Sequence, residues 1–149
     1  MTVNRGKKHK YLGMTLGYSK EGACQISMFE NLKAVLETFD KIDAKSNGTK
    51  KSAVPSNLFT VQEHYKKLDK ECSEQLHSIV AKVLFTTKCA RPDTGTAVSF
   101  LTTRVRAPYQ DDWLKLAQLM MYIRGTIDLP LTISANGTGM IKWYVDGSY

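Results

Sequence analysis

Several groups of residues in this chain combine side-chain type and spacing in ways that could do chemistry. Asp111 and Asp112 are adjacent carboxylates, and paired carboxylates can hold Mg²⁺ for phosphoryl transfer. They follow Pro108 at the start of an apolar periodic run. Negative charge there offsets a helix dipole by ~0.3–1 kcal/mol, so helix capping is the simpler role. His64, Cys72 and His77 carry metal-binding atoms, but they lack the close spacing of a zinc motif. Ala90-Arg91-Pro92-Asp93 joins a helix stop to a helix start. Pro92 cannot donate a backbone hydrogen bond and biases Arg91 away from helical geometry. Arg91 could answer the negative helix end, pair with Asp93, or bind a phosphate. Lys7, Lys8 and Lys10 lie beside Tyr11-Leu12-Gly13. Cations next to an aromatic suit a phosphate backbone and a stacked base, although a solvated charged terminus has the same composition. The sequence contains no Gly-x-x-x-x-Gly-Lys-Ser/Thr loop, no Gly-x-Gly-x-x-Gly after a strand, and no nucleophile elbow.

These residues need elements to position them. The 149 residues contain 42% hydrophobic and 23% charged residues, an ordinary globular balance with enough chain for one core. Lys and Arg total 21 against 14 Asp and Glu, so the net charge is +7, which favours a polyanionic partner such as nucleic acid. No apolar run reaches the ~18–20 residues of a bilayer span, and no apolar signal region follows the basic start. The expected setting is intracellular, cytoplasmic or nuclear, without a membrane. Three cysteines with no Cys-x-x-Cys pair argue against a disulfide framework and fit a reducing compartment.

The spacing predicts an α+β fold. Tyr11 to Leu16 and Cys24 to Met28 read as two strands of a hairpin around Ser19-Lys20-Glu21-Gly22. Leu32, Val35, Leu36 and Phe39 give a short helix. Residues 40–70 read as a linker, with Leu58 and Phe59 the residues able to tuck onto the core. Leu76, Ile79, Val80, Val83 and Leu84 predict a helix ending before Pro92. Asp93 or Thr94 can cap a second helix running to about Arg106. A third runs from Gln110 to about Arg124, with Gly125 closing it. Leu129, Leu131 and Ile133 predict a strand that starts beside Pro130, and residues 141–146 predict another after the Asn136-Gly137-Thr138-Gly139 turn.

The order of these pieces resembles the reverse transcriptase region of copia-type retrotransposon polyproteins. The resemblance rests on Tyr11-Leu12-Gly13, Ala81-Lys82-Val83-Leu84-Phe85, Ala90-Arg91-Pro92-Asp93, Met121-Tyr122-Ile123-Arg124-Gly125-Thr126 and Trp143-Tyr144-Val145-Asp146-Gly147-Ser148. It covers nearly the whole chain through the order and spacing of these motifs. It implies the end of the palm (1–39), a linker (40–70), thumb and connection helices (71–126) and the opening of a ribonuclease H domain (127–149). By resemblance, Tyr11, Leu12 and Gly13 lie in the hairpin gripping the primer strand, flanked by Lys7, Lys8 and Lys10. Asp146 matches the first metal-binding carboxylate of ribonuclease H. The family's Tyr-x-Asp-Asp polymerase hairpin is absent, and Asp146 alone cannot hold two Mg²⁺ ions. The expectation is therefore a polymerase fragment without activity or cofactor of its own, with Mg²⁺ belonging to the complete family enzyme. Its partners would be a primer–template duplex and the missing polymerase parts. A stand-alone basic nucleic-acid-binding module and an inert remnant are the competing expectations.

Overall fold

Residues 6–19, 22–62 and 64–140 are described by a computed structural model of the chain. The strand expected from Tyr11 to Leu16 is split in two. β1 (Lys8–Tyr11) and β2 (Met14–Tyr18) are joined by Leu12 and Gly13, whose φ angles are 47° and 80°. Two consecutive residues at positive φ make a type I′ turn, whose twist matches that of the flanking strands. Gly13 adopts this conformation freely, whereas Leu12 carries a Cβ penalty. The antiparallel pairing expected of the two strands is present. β3 (Cys24–Ser27) returns antiparallel to β2, with Leu16 opposite Ile26.

β4 (Leu131–Ile133) pairs with β3 and completes an antiparallel sheet of order β1-β2-β3-β4. The strand expected near Leu131 therefore belongs to the N-terminal sheet. Its expected partner, residues 141–146, lies outside the described residues. The turn after β4 has glycine at positive φ at Gly137 and Gly139, and Asn136 Oδ1 accepts from the Thr138 backbone at 3.1 Å.

Among the described residues, four helices accompany the sheet: α1 (Phe29–Ile42), α2 (Lys70–Ala90), α3 (Gly95–Arg104) and α4 (Gln110–Gly125). Most of the apolar positions read from the sequence are buried, while Leu84 is half-buried at the margin of the core. Leu32, Val35, Leu36 and Phe39 of α1 meet Leu76, Ile79, Val80 and Val83 of α2. Ala97, Val98 and Leu101 of α3 and Leu116, Ala117, Met120 and Ile123 of α4 complete the core. Each large aliphatic side chain so buried contributes about 1.5–3 kcal/mol. Asp69 caps α2 by accepting from the Cys72 backbone at 2.8 Å.

Two expected helix signals work differently. Neither Asp93 nor Thr94 caps α3, which is preceded by a 3-10 turn over Pro92–Thr94. The Thr94 hydroxyl instead donates to the Arg91 carbonyl and shares a hydrogen bond with Thr87, while Asp93 faces Arg91. Gly125 is the last residue of α4 and is not in the left-handed region. A Cβ there would lie 3.3 Å from Thr49 Cβ, so close approach of the chain is what favours glycine.

The described residues between 43 and 69 contain no helix but are tied down along the segment. The Lys50 backbone donates to Met121, Leu68 to Pro108, and the Gln110 backbone to Lys66. Leu58 is buried, as expected; Phe59 is exposed and meets Phe100 edge-on. The segment is a strap across α4 rather than a free linker.

Candidate nucleic-acid interface

Strand pairing decides how the basic cluster is displayed. Lys8 is opposite Gly17 and Lys10 opposite Thr15, and these continue to Gln25, Ser27 and Thr132. One face of the sheet is thus polar and basic. His9 and Tyr11 point to the other face, with Leu16, Ile26 and Leu131. β1 is an edge strand of the described sheet, so a ligand lying along that edge meets both faces. Lys7, Lys8 and Lys10 are exposed. Tyr11 and Leu12 retain 60% and 67% of their surface at the hairpin tip. No side chain of the sheet joins the buried core, so this element is mounted on the helices rather than built into them.

The tip rests against α1. A Cβ on Gly13 would lie 2.9 Å from Asn31 Nδ2, so a larger residue there would displace the Asn31 amide as well as strain the backbone at φ 80°. Asn31 also lines a groove of about 460 Å³ between α1 and α2, together with Ala34, Ala81, Lys82 and Phe85. Ala34, Ala81 and Lys82 are exposed, and so is Phe85. The lysine-bearing edge, the tip and this groove therefore adjoin.

Arg91 stands elsewhere and does other work. It is 2% exposed, and all three guanidinium nitrogens are engaged. Nε donates to Asp93 Oδ1 at 2.9 Å and Nη2 to Asp93 Oδ2 at 2.8 Å. Nη1 donates to the Thr126 carbonyl at 3.0 Å, and Nη2 reaches the Thr126 hydroxyl at 2.6 Å. Tyr122 donates its hydroxyl to Asp93 Oδ2 at 2.8 Å and places its ring beside the guanidinium. Burial alone would raise the Asp93 carboxyl, but the hydrogen bonds from Arg91 and Tyr122 outweigh it and hold the carboxyl below its ordinary value. Burial and the Asp93 carboxylate together push the Tyr122 hydroxyl up. The arginine considered as a phosphate ligand is thus an internal tie, the pairing with Asp93 that the sequence also allowed.

The carboxylate pair is likewise consumed by structure. Asp112 completes a capping box by accepting from the Tyr109 backbone at 2.8 Å, and it pairs with Arg104 at 3.2 Å. Asp111 lies 2.8 Å from Lys115 Nζ, a charge contact rather than an aligned hydrogen bond. Lys115 is 2% exposed and donates to the Thr60 carbonyl of the strap. Both carboxylates are buried and matched, so they do not present an Mg²⁺ site.

Among the described residues, no three His, Cys, Asp or Glu side chains converge to hold a metal ion. His64 and His77 are exposed, on the strap and on α2, and Cys72 is half-buried at the start of α2. Burial and Asp69 push the Cys72 thiol up, away from thiolate chemistry. Cys72 lines a concavity of about 890 Å³ with Trp113 and Asp43. There Trp113 Nε1 donates to Asp43 at 3.0 Å. Asp146 lies outside the described residues. No described helix is long and apolar enough to cross a membrane.

Sequence reasoning passed over Tyr122, Thr126 and Lys115 as polar ligands. The four-residue spacing of Asp111 and Lys115 on one helix was the available signal for their pairing. Nothing local could reveal that Thr126 meets Arg91, 35 residues away. No protein-family model matches the chain, and no solved structure matches it significantly.

Proposed function

We propose that this chain is a non-catalytic nucleic-acid contact unit corresponding to the palm-end hairpin and thumb-like helices of a copia-type reverse transcriptase. The observation that carries the contact role is the lysine-bearing edge strand beside a tip that holds an exposed leucine in a disfavoured backbone conformation. Strain of that kind persists where the side chain or the turn has a use. Lys7, Lys8 and Lys10 would meet phosphates along β1, and Tyr11 and Leu12 would meet sugar or base at the tip. The groove beginning at Asn31 extends the same surface across α1 and α2. Contacts of this kind are independent of sequence and weaken steeply with salt. The family reading is supported by the meeting of two of its motifs, Arg91-Pro92-Asp93 and Tyr122 to Thr126, in one hydrogen-bonded cluster.

Binding of a primer–template duplex, followed by fluorescence anisotropy across a salt series, tests the contact role. Affinity is expected to fall steeply with salt. Replacing Lys7, Lys8 and Lys10 with Gln is expected to reduce the logarithmic slope by up to ~3. Binding that is absent at low salt, or flat with salt, removes this reading and leaves an inert chain. Mg²⁺-dependent primer extension is expected to be absent. Extension that is lost on an Asp substitution would refute the non-catalytic assignment.

A further inference from the structure

We propose that Arg91 and Thr126 form a latch that fixes the sheet carrying the basic hairpin against the helical unit. The sheet contributes no side chain to the buried core and meets the helices only at its margins, where the tip lies against Asn31 of α1 and β3 passes α2, so its two chain connections also bear on its orientation. One is direct, from β3 through buried Met28 into α1. The other runs from the end of α4 through Thr126 to Pro130 into β4. Thr126 is the cap residue that follows α4, and its carbonyl closes the next turn by accepting from the Leu129 backbone at 3.1 Å. The same carbonyl accepts from Arg91 Nη1 at 3.0 Å. The Thr126 hydroxyl sits between Arg91 Nη2 and the Tyr122 carbonyl, at 2.6 and 2.8 Å.

Arg91 is itself held rigidly. It caps the end of α2, with its backbone N–H donating to Thr86 at 3.2 Å, and Asp93 grips its guanidinium along the Nε–Nη2 edge. A buried guanidinium therefore clamps the point where the chain leaves the bundle for β4. Since β4 pairs with β3, the clamp reaches the whole sheet through its ladder. Arg91 and Thr126 are positioning residues: they touch no ligand and act through β4. The latch needs no nucleic acid, but its consequence for binding rests on the reading above.

Amide hydrogen exchange in the full chain tests it, with Thr126→Val and Arg91→Lys as the latch variants. Ile79→Val, a core change away from the latch, is the control. Both latch variants are expected to speed exchange of the β3–β4 ladder by ~10-fold or more while central α2 and α4 amides stay near wild type. Thr126→Val keeps the side-chain shape, so it answers even if Arg91→Lys folds poorly. Ladder exchange unchanged in Thr126→Val overturns the latch. So does a rise spread evenly over helices and sheet, as the control would give. Primer–template binding is measured alongside. Faster ladder exchange in a chain that binds no nucleic acid upholds the latch and removes only the contact role. Unchanged ladder exchange in a chain that binds does the reverse.

Discussion

Asp93 shows how one side chain can serve two elements. Its carboxylate is held ionised by Arg91 and Tyr122 against the opposing effect of burial. A carboxyl lowered in the folded state favours folding once it is ionised. Its contribution is complete above the unfolded value of about 3.9 and is lost as pH falls through the folded value. Wild type is therefore expected to exceed Asp93→Asn in stability by a constant margin from neutral pH to about pH 5. That margin should shrink below about pH 4. Urea titrations at stepped pH measure it, and a margin that grows on acidification contradicts the assignment. Arg91 shows why a cation in a motif cannot be given a ligand from its type alone. Its neighbours in sequence allowed both a phosphate and Asp93, and its burial removes it from any solvent-borne phosphate.

The hairpin tip is the element whose local chemistry departs furthest from the sequence pattern. Tyr11 to Leu16 has the composition of a strand, yet Leu12-Gly13 is the turn. Gly-bearing turns of this type usually carry Asn or Asp where Leu12 stands. Leu12→Asn relieves a left-handed penalty of ~1–2 kcal/mol and is expected to protect the β1–β2 amides. If the tip contacts nucleic acid, the same variant weakens binding while strengthening the hairpin, a combination an inert chain would not show. Gly13→Ala is expected to do the opposite to the hairpin, because it adds a Cβ both at φ 80° and against Asn31. Amide exchange together with anisotropy separates the two effects. In α4, by contrast, periodicity was enough. Leu116, Met120 and Ile123, spaced by four and three residues, share one buried face, and packing of such a face is what a helix of this kind requires.

Across the whole molecule, the strap and the sheet join a helical core by different means. The strap is pinned from beneath by Lys115, whose buried ammonium meets Asp111 and the Thr60 carbonyl and lies 4.8 Å from the centre of the Phe100 ring. Arg124 pins its other end, donating to the carbonyls of Ser46 and Gly48 and pairing with Asp40. Lys115→Met strands the Asp111 carboxylate and is expected to cost about 3–5 kcal/mol, read as a shift in the denaturation midpoint. Adding Asp111→Leu is expected to recover most of that loss, because two apolar residues leave no uncompensated charge. An equal loss in the double variant would contradict the pin. Periodicity, turn residues and proline act over a few residues, and they are enough to read the helices, the β2–β3 hairpin and a carboxylate cap at the start of α4, but not to tell buried Leu58 from exposed Phe59. Long-range packing alone settles that β4 joins the N-terminal sheet, that β1 is an edge strand of the described sheet, and that Arg91 closes on Thr126. Those outcomes depend on which distant groups meet once the apolar faces pack, and that choice leaves no local trace in the chain.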